Sequence, residues 1–304
     1  MNNTDNIIKD LLKEFEGYIG SLSNLEEIKT IPFGIKSLDA ITGRNGIPLG
    51  MITEIYGAES SGKTSLALKL ISEAQKMDFT CGFIDTELAI TKDLAQKSGV
   101  NINNLIIARP RTGENAFEIL EGLIEKGAKL IVIDSVSSLV PSAELEADYT
   151  QESIGLQARL MSKGMRKIIG CMETNKSAVV FINQVRDNIG KFGFGPQKTT
   201  SGGRALKFYS AMRIEMARTR WIESTNGKVG MCINIKMVKN KIFRPQLDTN
   251  VNFMFDTGFD VDGDLLNFMV NSGKLKLIGR TYYYGNENIG VKSKALIYLK
   301  EHNL

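Results

Sequence analysis

The stretch Gly57-Ala58-Glu59-Ser60-Ser61-Gly62-Lys63-Thr64 lies between an apolar run, MITEIYG, and a helical run, LALKLISEAQKM. It fits G-x-x-x-x-G-K-[ST] in the strand-to-helix setting that this spacing requires. Its glycines let backbone N–H groups wrap phosphate oxygens at a helix N-terminus. Gly57, Glu59, Ser60, Ser61, Gly62, Lys63, Thr64 and Ser65 are therefore the expected phosphate-binding residues. Lys63 reaches the β- and γ-phosphates as a point charge, and the Thr64 hydroxyl ligates Mg²⁺.

Outward from this loop, the apolar strands TCGFID, LIIAR, LIVIDS and AVVFIN alternate with helical segments. Such alternation predicts an α/β fold: a mostly parallel twisted sheet with helices on both faces. LIVIDS delivers one carboxylate, Asp134, to a strand end, where it joins Thr64 as a metal ligand. FIDTE ends in Glu87, suited to deprotonating an attacking water; Asp85 competes for that role. The residue inventory offers no phosphate acceptor other than water, so Mg²⁺-dependent ATP hydrolysis is the expected reaction.

The rest of the 304 residues limits the alternatives. The only histidine is His302, which excludes histidine triads and multi-histidine metal sites. Cys81, Cys171 and Cys232 stand singly beside apolar residues and read as reduced core thiols. The polar start MNNTDN and the short apolar runs predict a soluble cytoplasmic protein without a membrane partner. The net charge of +4 is unevenly spread, with thirteen Lys and Arg against three Asp and Glu from Arg159 to Arg220. Within that region FINQVRDNIGKFGFGPQKTTSGG, residues 181–203, passes from a core strand into a basic, glycine-rich loop. Loops of that length are usually functional or disordered. The preceding IGLQARLMSKGMRKIIGCM predicts an amphipathic helix: Ile154, Ala158, Met161, Met165, Ile168 and Met172 on the core face, Arg159, Lys163 and Arg166 on a basic stripe.

Three units are expected. Residues 1–30 hold an amphipathic helix, with Ile8, Leu11, Leu12, Phe15 and Ile19 on one face, and a linker; the helix packs on its own core or on a neighbouring copy. Residues 31–258 form the nucleotide-binding core, closed by a hairpin signalled by Asn226-Gly227. Residues 259–304, with TYYYG and KSKALIYLK, form a small α+β subdomain.

As a set, GAESSGKTSLALKLISEAQK, FIDTELA, LIVIDSVSSLVPSAELE, GLQARLMSKGMRKI, FINQVR, SGGRALKFYSAMRIE and KMVKNKI resemble the RecA recombinase family in order and spacing. The resemblance covers roughly residues 31–258 and continues more weakly to the C-terminus. It implies helical filaments on single-stranded DNA, ATP between subunits, and homologous pairing with double-stranded DNA. By position it assigns phosphate and Mg²⁺ contacts to Lys63, Thr64 and Asp134, water activation to Glu87, and γ-phosphate sensing to Gln184. Lys239 and Lys241 match the lysines that reach a neighbour's ATP. Residues 148–155 and 185–201 match the two DNA loops, Ile154 and Ile189 their base-inserting residues. Arg159, Ser162, Arg166, Arg186, Gly202, Gly203 and Arg204 are the corresponding DNA contacts.

Departures from the family pattern also carry expectations. Leu94 replaces a tyrosine that stacks on adenine in many members, and one residue is added between Pro196 and Gly202. The ending KEHNL lacks the acidic tail that is inhibitory in many cellular members, which fits a less restrained recombinase of cellular or phage origin. A hexameric helicase or clock-type ATPase on the same core, and a non-hydrolysing DNA-binding scaffold, are the alternatives.

Overall fold

The computed structural model of the chain describes residues 27–147, 155–187, 198–225 and 227–302, with Ile7 and Leu11 as isolated positions. The expected N-terminal helix and most of both expected DNA loops lie outside the described residues. The strands are β1 (Thr30–Ile31), β2 (Ile47–Pro48), β3 (Ile52–Gly57), β4 (Cys81–Asp85), β5 (Leu105–Ala108), β6 (Leu130–Asp134), β7 (Ala178–Asp187) and β8 (Lys198–Thr200). They continue with β9 (Met212–Ser224), β10 (Gly227–Asn240), β11 (Asp248–Met254), β12 (Gly258–Phe259), β13 (Leu275–Ile278), β14 (Thr281–Tyr284) and β15 (Glu287–Gly290).

The main sheet runs β12-β11-β10-β9-β3-β7-β6-β4-β5, with β8 paired to β7. From β9 to β5 neighbours are parallel; from β9 to β12 they are antiparallel. The central strands are largely apolar because both faces are covered, with Thr53 and Glu54 of β3 and Asn183 of β7 as buried polar exceptions. Leu130 and Val132 of β6 join the core cluster under the helix Lys63–Lys76, whereas Ile131 and Ile133 join the cluster under Gly113–Glu125 and Leu156–Asn175. Full burial of each such side chain contributes about 1.5–3 kcal/mol. Register then places Gly57 beside Gln184, Ile182 beside Asp134, and Asp134 beside Asp85. These residues stand at the carboxyl edge of the parallel strands, where open α/β sheets bind ligands.

LIIAR forms the sheet's edge: among the described residues β5 pairs on one side only, with Ile106 44% and Ile107 49% exposed. Two local expectations are corrected. Cys171 is half-buried on a helix surface beside Glu121, so only Cys81 and Cys232 are core thiols. In the hairpin Gly227 pairs with Ser224 and so belongs to β10, not to the expected turn. Asn226 itself lies outside the described residues.

Beyond β12, the three-stranded sheet β13-β14-β15 and the helices Val261–Asn271 and Lys292–Glu301 enclose a separate small core of Leu266, Met269, Leu275, Ile289, Ala295 and Leu299. One polar contact ties this unit to the start of the core. The helix Lys36–Thr42 has Ile35 at its N-cap, which supplies no side-chain acceptor. Asp264 supplies one instead, accepting from the Ser37 N–H at 2.9 Å and from the Ser37 hydroxyl.

Candidate active site

The phosphate-binding loop folds as its spacing demands. Gly62 is the N-cap of the helix Lys63–Lys76, with φ 87°, a left-handed conformation that costs glycine little. It also packs closely on the sheet: a Cβ there would come within 3.0 Å of Ile233 Cδ1. A cavity of about 370 Å³ opens above the loop. Glu59, Ser60, Ser61, Gly62, Lys63, Thr64 and Ser65 line it, together with Glu87, Asp134, Ile182 and Gln184. Gly57 stands just behind, its carbonyl facing Lys63.

Inside the cavity each group has a defined partner. The Lys63 ammonium donates to the carbonyl oxygens of Gly57 at 3.2 Å and Ala58 at 2.7 Å. Burial lowers its pKa, while the carboxylates of Asp134, Glu87 and Glu59 oppose that shift. Thr64 Oγ1 donates to Asp134 Oδ2 at 2.6 Å. Burial pushes Asp134 up to about 6, with Glu87 and Asp85 adding to the shift and Thr64 and Lys63 opposing it. A buried carboxylate beside a hydroxyl, short of positive charge, suits a hard divalent cation, so Thr64 and Asp134 fit the metal-binding role. The hydroxyl of Ser61 is buried without a hydrogen-bond partner among the described residues.

Geometry separates the two candidate bases. Asp85 is spent on structure: its oxygens accept from the Ala89 N–H at 3.1 Å and from Arg109 Nε at 3.3 Å. Glu87 is exposed to the cavity, where Oε1 accepts from the Gln184 amide at 2.7 Å and the Ser135 hydroxyl at 2.5 Å. Its own N–H donates to the Asp134 carbonyl at 3.2 Å, and the Thr86 hydroxyl donates to the same oxygen at 2.8 Å.

Sequence reasoning passed over Ser135, Asn183, Glu54 and Arg213. Asn183 Nδ2 donates to Glu54 Oε1 and to the Ser201 carbonyl, both at 3.0 Å; Glu54, fully buried, pairs with Arg213 at 2.5 Å. This network lies directly behind Gln184 and holds the far end of the glycine-rich loop. One signal was available: a lone glutamate in the apolar strand MITEIYG asks for a buried cation.

The other expected residues fall into separate groups. Lys239 and Lys241 lie outside the cavity. Lys239 donates to the carbonyls of Lys207 at 2.7 Å and Phe208 at 3.1 Å; its pKa is lowered by burial, then by Lys241 and Arg213. Arg159 and Arg166 are exposed on the helix Leu156–Asn175, with Ser162 half-buried between them and Met161, Met165, Ile168 and Met172 in the core. Lys163, exposed like the two arginines, also lines a groove with Glu114, Glu118 and Glu121. Gly203 and Arg204 are exposed, whereas Gly202 is buried: a Cβ on it would meet Val136 at 2.7 Å and Met161 at 3.2 Å. Arg186 belongs to β7 but its side chain, like Ile154 and Ile189, lies outside the described residues.

Fold and cavity together define a P-loop nucleoside triphosphatase, with Glu87 brought to the cavity from the end of β4, which β7 and β6 separate from β3 and the phosphate loop. Its family follows from comparison. The model of the RecA N-terminal domain matches residues 3–260. A RecA protein of Syntrophus aciditrophicus is 44% identical over 286 residues, covering 93% of this chain and 83% of that protein. One from Oceanobacillus iheyensis is 42% identical over 303 residues, covering 98% and 87%. One from Enterococcus gallinarum is 43% identical over 279 residues, covering 91% and 80%. The chain belongs to the RecA family and is an ATP-dependent, DNA-acting recombinase with DNA-dependent ATPase activity. Among the described residues no helix is long and apolar enough to cross a membrane.

Proposed function

We propose that the chain works in the cytoplasm as a Mg²⁺-dependent ATPase that polymerises on single-stranded DNA, pairs it with homologous duplex and exchanges strands. The observation that carries the site assignment is the shared hydrogen bond of Glu87 and Gln184 in the cavity that also holds Lys63 and the Thr64–Asp134 pair. Lys63 exchanges its two carbonyl partners for β- and γ-phosphate oxygens. Thr64 and Asp134 would hold the divalent ion, which would supply positive charge to the triphosphate. Gln184 turns its amide from Glu87 to the γ-phosphate, and the freed carboxylate oxygen takes a proton from the attacking water. Gln184 stands at the root of the second DNA loop, so hydrolysis and DNA contact share one residue. Arg159, Ser162, Arg166, Gly203 and Arg204, with Arg186 and the loop isoleucines Ile154 and Ile189, meet the DNA. Gly202 supports that surface from the core side.

Lys239 and Lys241 supply positive charge to the ATP of an adjacent copy, consistent with their position outside their own cavity. Residues 1–30 dock on that copy, where the exposed Ile106 and Ile107 of β5 offer an apolar edge. A heterologous contact of this kind builds open helical polymers. Residues 31–258 and 259–304 act as core and small C-terminal subdomain.

The test is phosphate release, with and without single-stranded DNA, in the wild type and Glu87→Gln. DNA should stimulate the wild type, and Glu87→Gln should bind ATP but hydrolyse it about 10²- to 10⁴-fold more slowly. Normal turnover in Glu87→Gln would remove the carboxylate from its role. Electron microscopy of the same mixtures should show open filaments; closed rings would favour a helicase-like assembly.

A further inference from the structure

The turn that follows β6 is a meeting point. Residues Val136–Ser138 form a single 3₁₀ turn directly after Asp134 and Ser135. Ser135 is fully buried, and its hydroxyl lies 2.5 Å from Glu87 Oε1 and 2.6 Å from Ser137 Oγ. When Gln184 is drawn to phosphate, Ser135 is the remaining side-chain partner of that carboxylate oxygen among the described residues. The orientation of Glu87 then depends on where this turn sits.

What fixes the turn is a side chain from another element. Gln157, in the first turn of the helix Leu156–Asn175, points its Nε2 at three carbonyls of the turn: Val136 at 2.8 Å, Leu139 at 3.3 Å and Ser137 at 3.4 Å. Apolar packing runs parallel to it, because Val136 and Met161 share one buried cluster and Gly202 rests against both. The same helix exposes Arg159 and Arg166. Gln157 and Arg159 are two residues apart on one rigid helical turn, so a displacement at the arginine moves the amide with it.

We propose that Gln157 is a positioning residue that couples the basic face of this helix to hydrolysis, by holding the turn whose serines orient Glu87. This inference rests on the reading of Glu87 as the base and of Arg159 and Arg166 as DNA contacts. DNA phosphates that draw on those arginines set the helix, the amide sets the turn, and Ser135 sets the carboxylate. The route is separate from the one through Gln184, which enters the cavity from β7. A neutral amide suits it, since it donates to carbonyls without placing a charge beside the metal ligand.

The experiment compares Gln157→Met, which keeps the volume and loses the donors, with Gln157→Ala, which loses both. Each is assayed for DNA-stimulated kcat, KM for ATP, single-stranded DNA affinity and thermal unfolding. Both should lose about tenfold in DNA-stimulated kcat, a loss typical of supporting hydrogen bonds around a reactive group. The KM for ATP and the DNA affinity should stay within about twofold. A Gln157→Met protein with wild-type kcat would reduce the residue to packing and overturn the proposal. So would a loss confined to KM or to DNA affinity. Glu87→Gln and Arg159→Ala are run alongside: if Glu87→Gln turns over normally, or Arg159→Ala binds DNA normally, the underlying reading fails. If both behave as expected and Gln157→Met is unaffected, the coupling alone fails.

Discussion

Lys63 and Lys239 are held by the same device with opposite surroundings. Each gives its ammonium to two consecutive backbone carbonyls, Gly57 and Ala58 for one, Lys207 and Phe208 for the other. Around Lys63 stand three carboxylates, whereas the nearest charges to Lys239 include Lys241 and Arg213. The first lysine is outnumbered by carboxylates of its own chain, a negative excess that a bound divalent ion would offset. Around the second, Lys241 and Arg213 outnumber the one carboxylate that acts on it, Glu54. What differs is the sign of the charge that each site lacks.

The largest expected effect breaks the two apart. Lys63→Ala should abolish productive ATP binding and lower kcat/KM by at least about 10³-fold, because it removes ground-state and transition-state contacts together. Lys239→Ala should spare ATP binding by dilute, unpolymerised protein and cost about 10²-fold in the DNA-stimulated rate, as loss of one charge-stabilising donor does. Equal loss of ATP binding in both, measured by titration with a fluorescent analogue, would place the two lysines in one site and end the comparison.

An intermediate effect concerns the buried pair between them. Glu54→Ala leaves Arg213 without its carboxylate and frees an Asn183 amide, and should cost about 3–5 kcal/mol of stability. Glu54→Met with Arg213→Met removes both charges and should recover most of that loss. Urea midpoints of the three proteins measure it, and a single variant as stable as the wild type would show the pair to be dispensable.

The smallest effect is on pH dependence. Both lysines have pKa values below the ordinary 10.5, so at alkaline pH the unfolded chain holds protons that the folded chain has released. Stability of the nucleotide-free protein therefore gains a rising contribution as pH climbs toward that value, and loses it as pH falls. Lys63→Met should flatten this rise and slightly stabilise the empty protein, and saturating ATP with Mg²⁺ should reverse the order of wild type and variant. An unchanged slope in denaturant midpoints between neutral and alkaline pH would mean that burial of Lys63 carries no cost.

Legibility in the sequence followed the distance over which the chemistry is organised. The phosphate loop could be read at once because its geometry is written in eight consecutive residues, and β6 with Asp134 because a strand covered on both faces is a continuous apolar run. The choice between Asp85 and Glu87 could not be made from FIDTE alone, since it depends on Arg109 and Gln184 arriving from other strands. Glu54 stood out as a lone carboxylate in an apolar strand, but its partners Asn183 and Arg213 did not, for the same reason: they lie 129 and 159 residues away. The basic stripe of the helix Leu156–Asn175 was legible in its period, whereas the acidic groove beside Lys163 was not, because Glu114, Glu118 and Glu121 come from another helix.

The bond between Ser37 and Asp264 spans 227 residues, and that separation sets an order of events during synthesis. Domains fold as the chain emerges at about 5–20 residues per second, so the helix Lys36–Thr42 waits roughly 10 to 45 s for the carboxylate that completes its first turn. Until then its leading amides face water, and the surface reserved for the C-terminal unit stays uncovered. The contact is a latch closed by a late part of the chain on an early one, and a nascent protein stalled before Asp264 would carry its phosphate loop already built but its first core helix still unfastened.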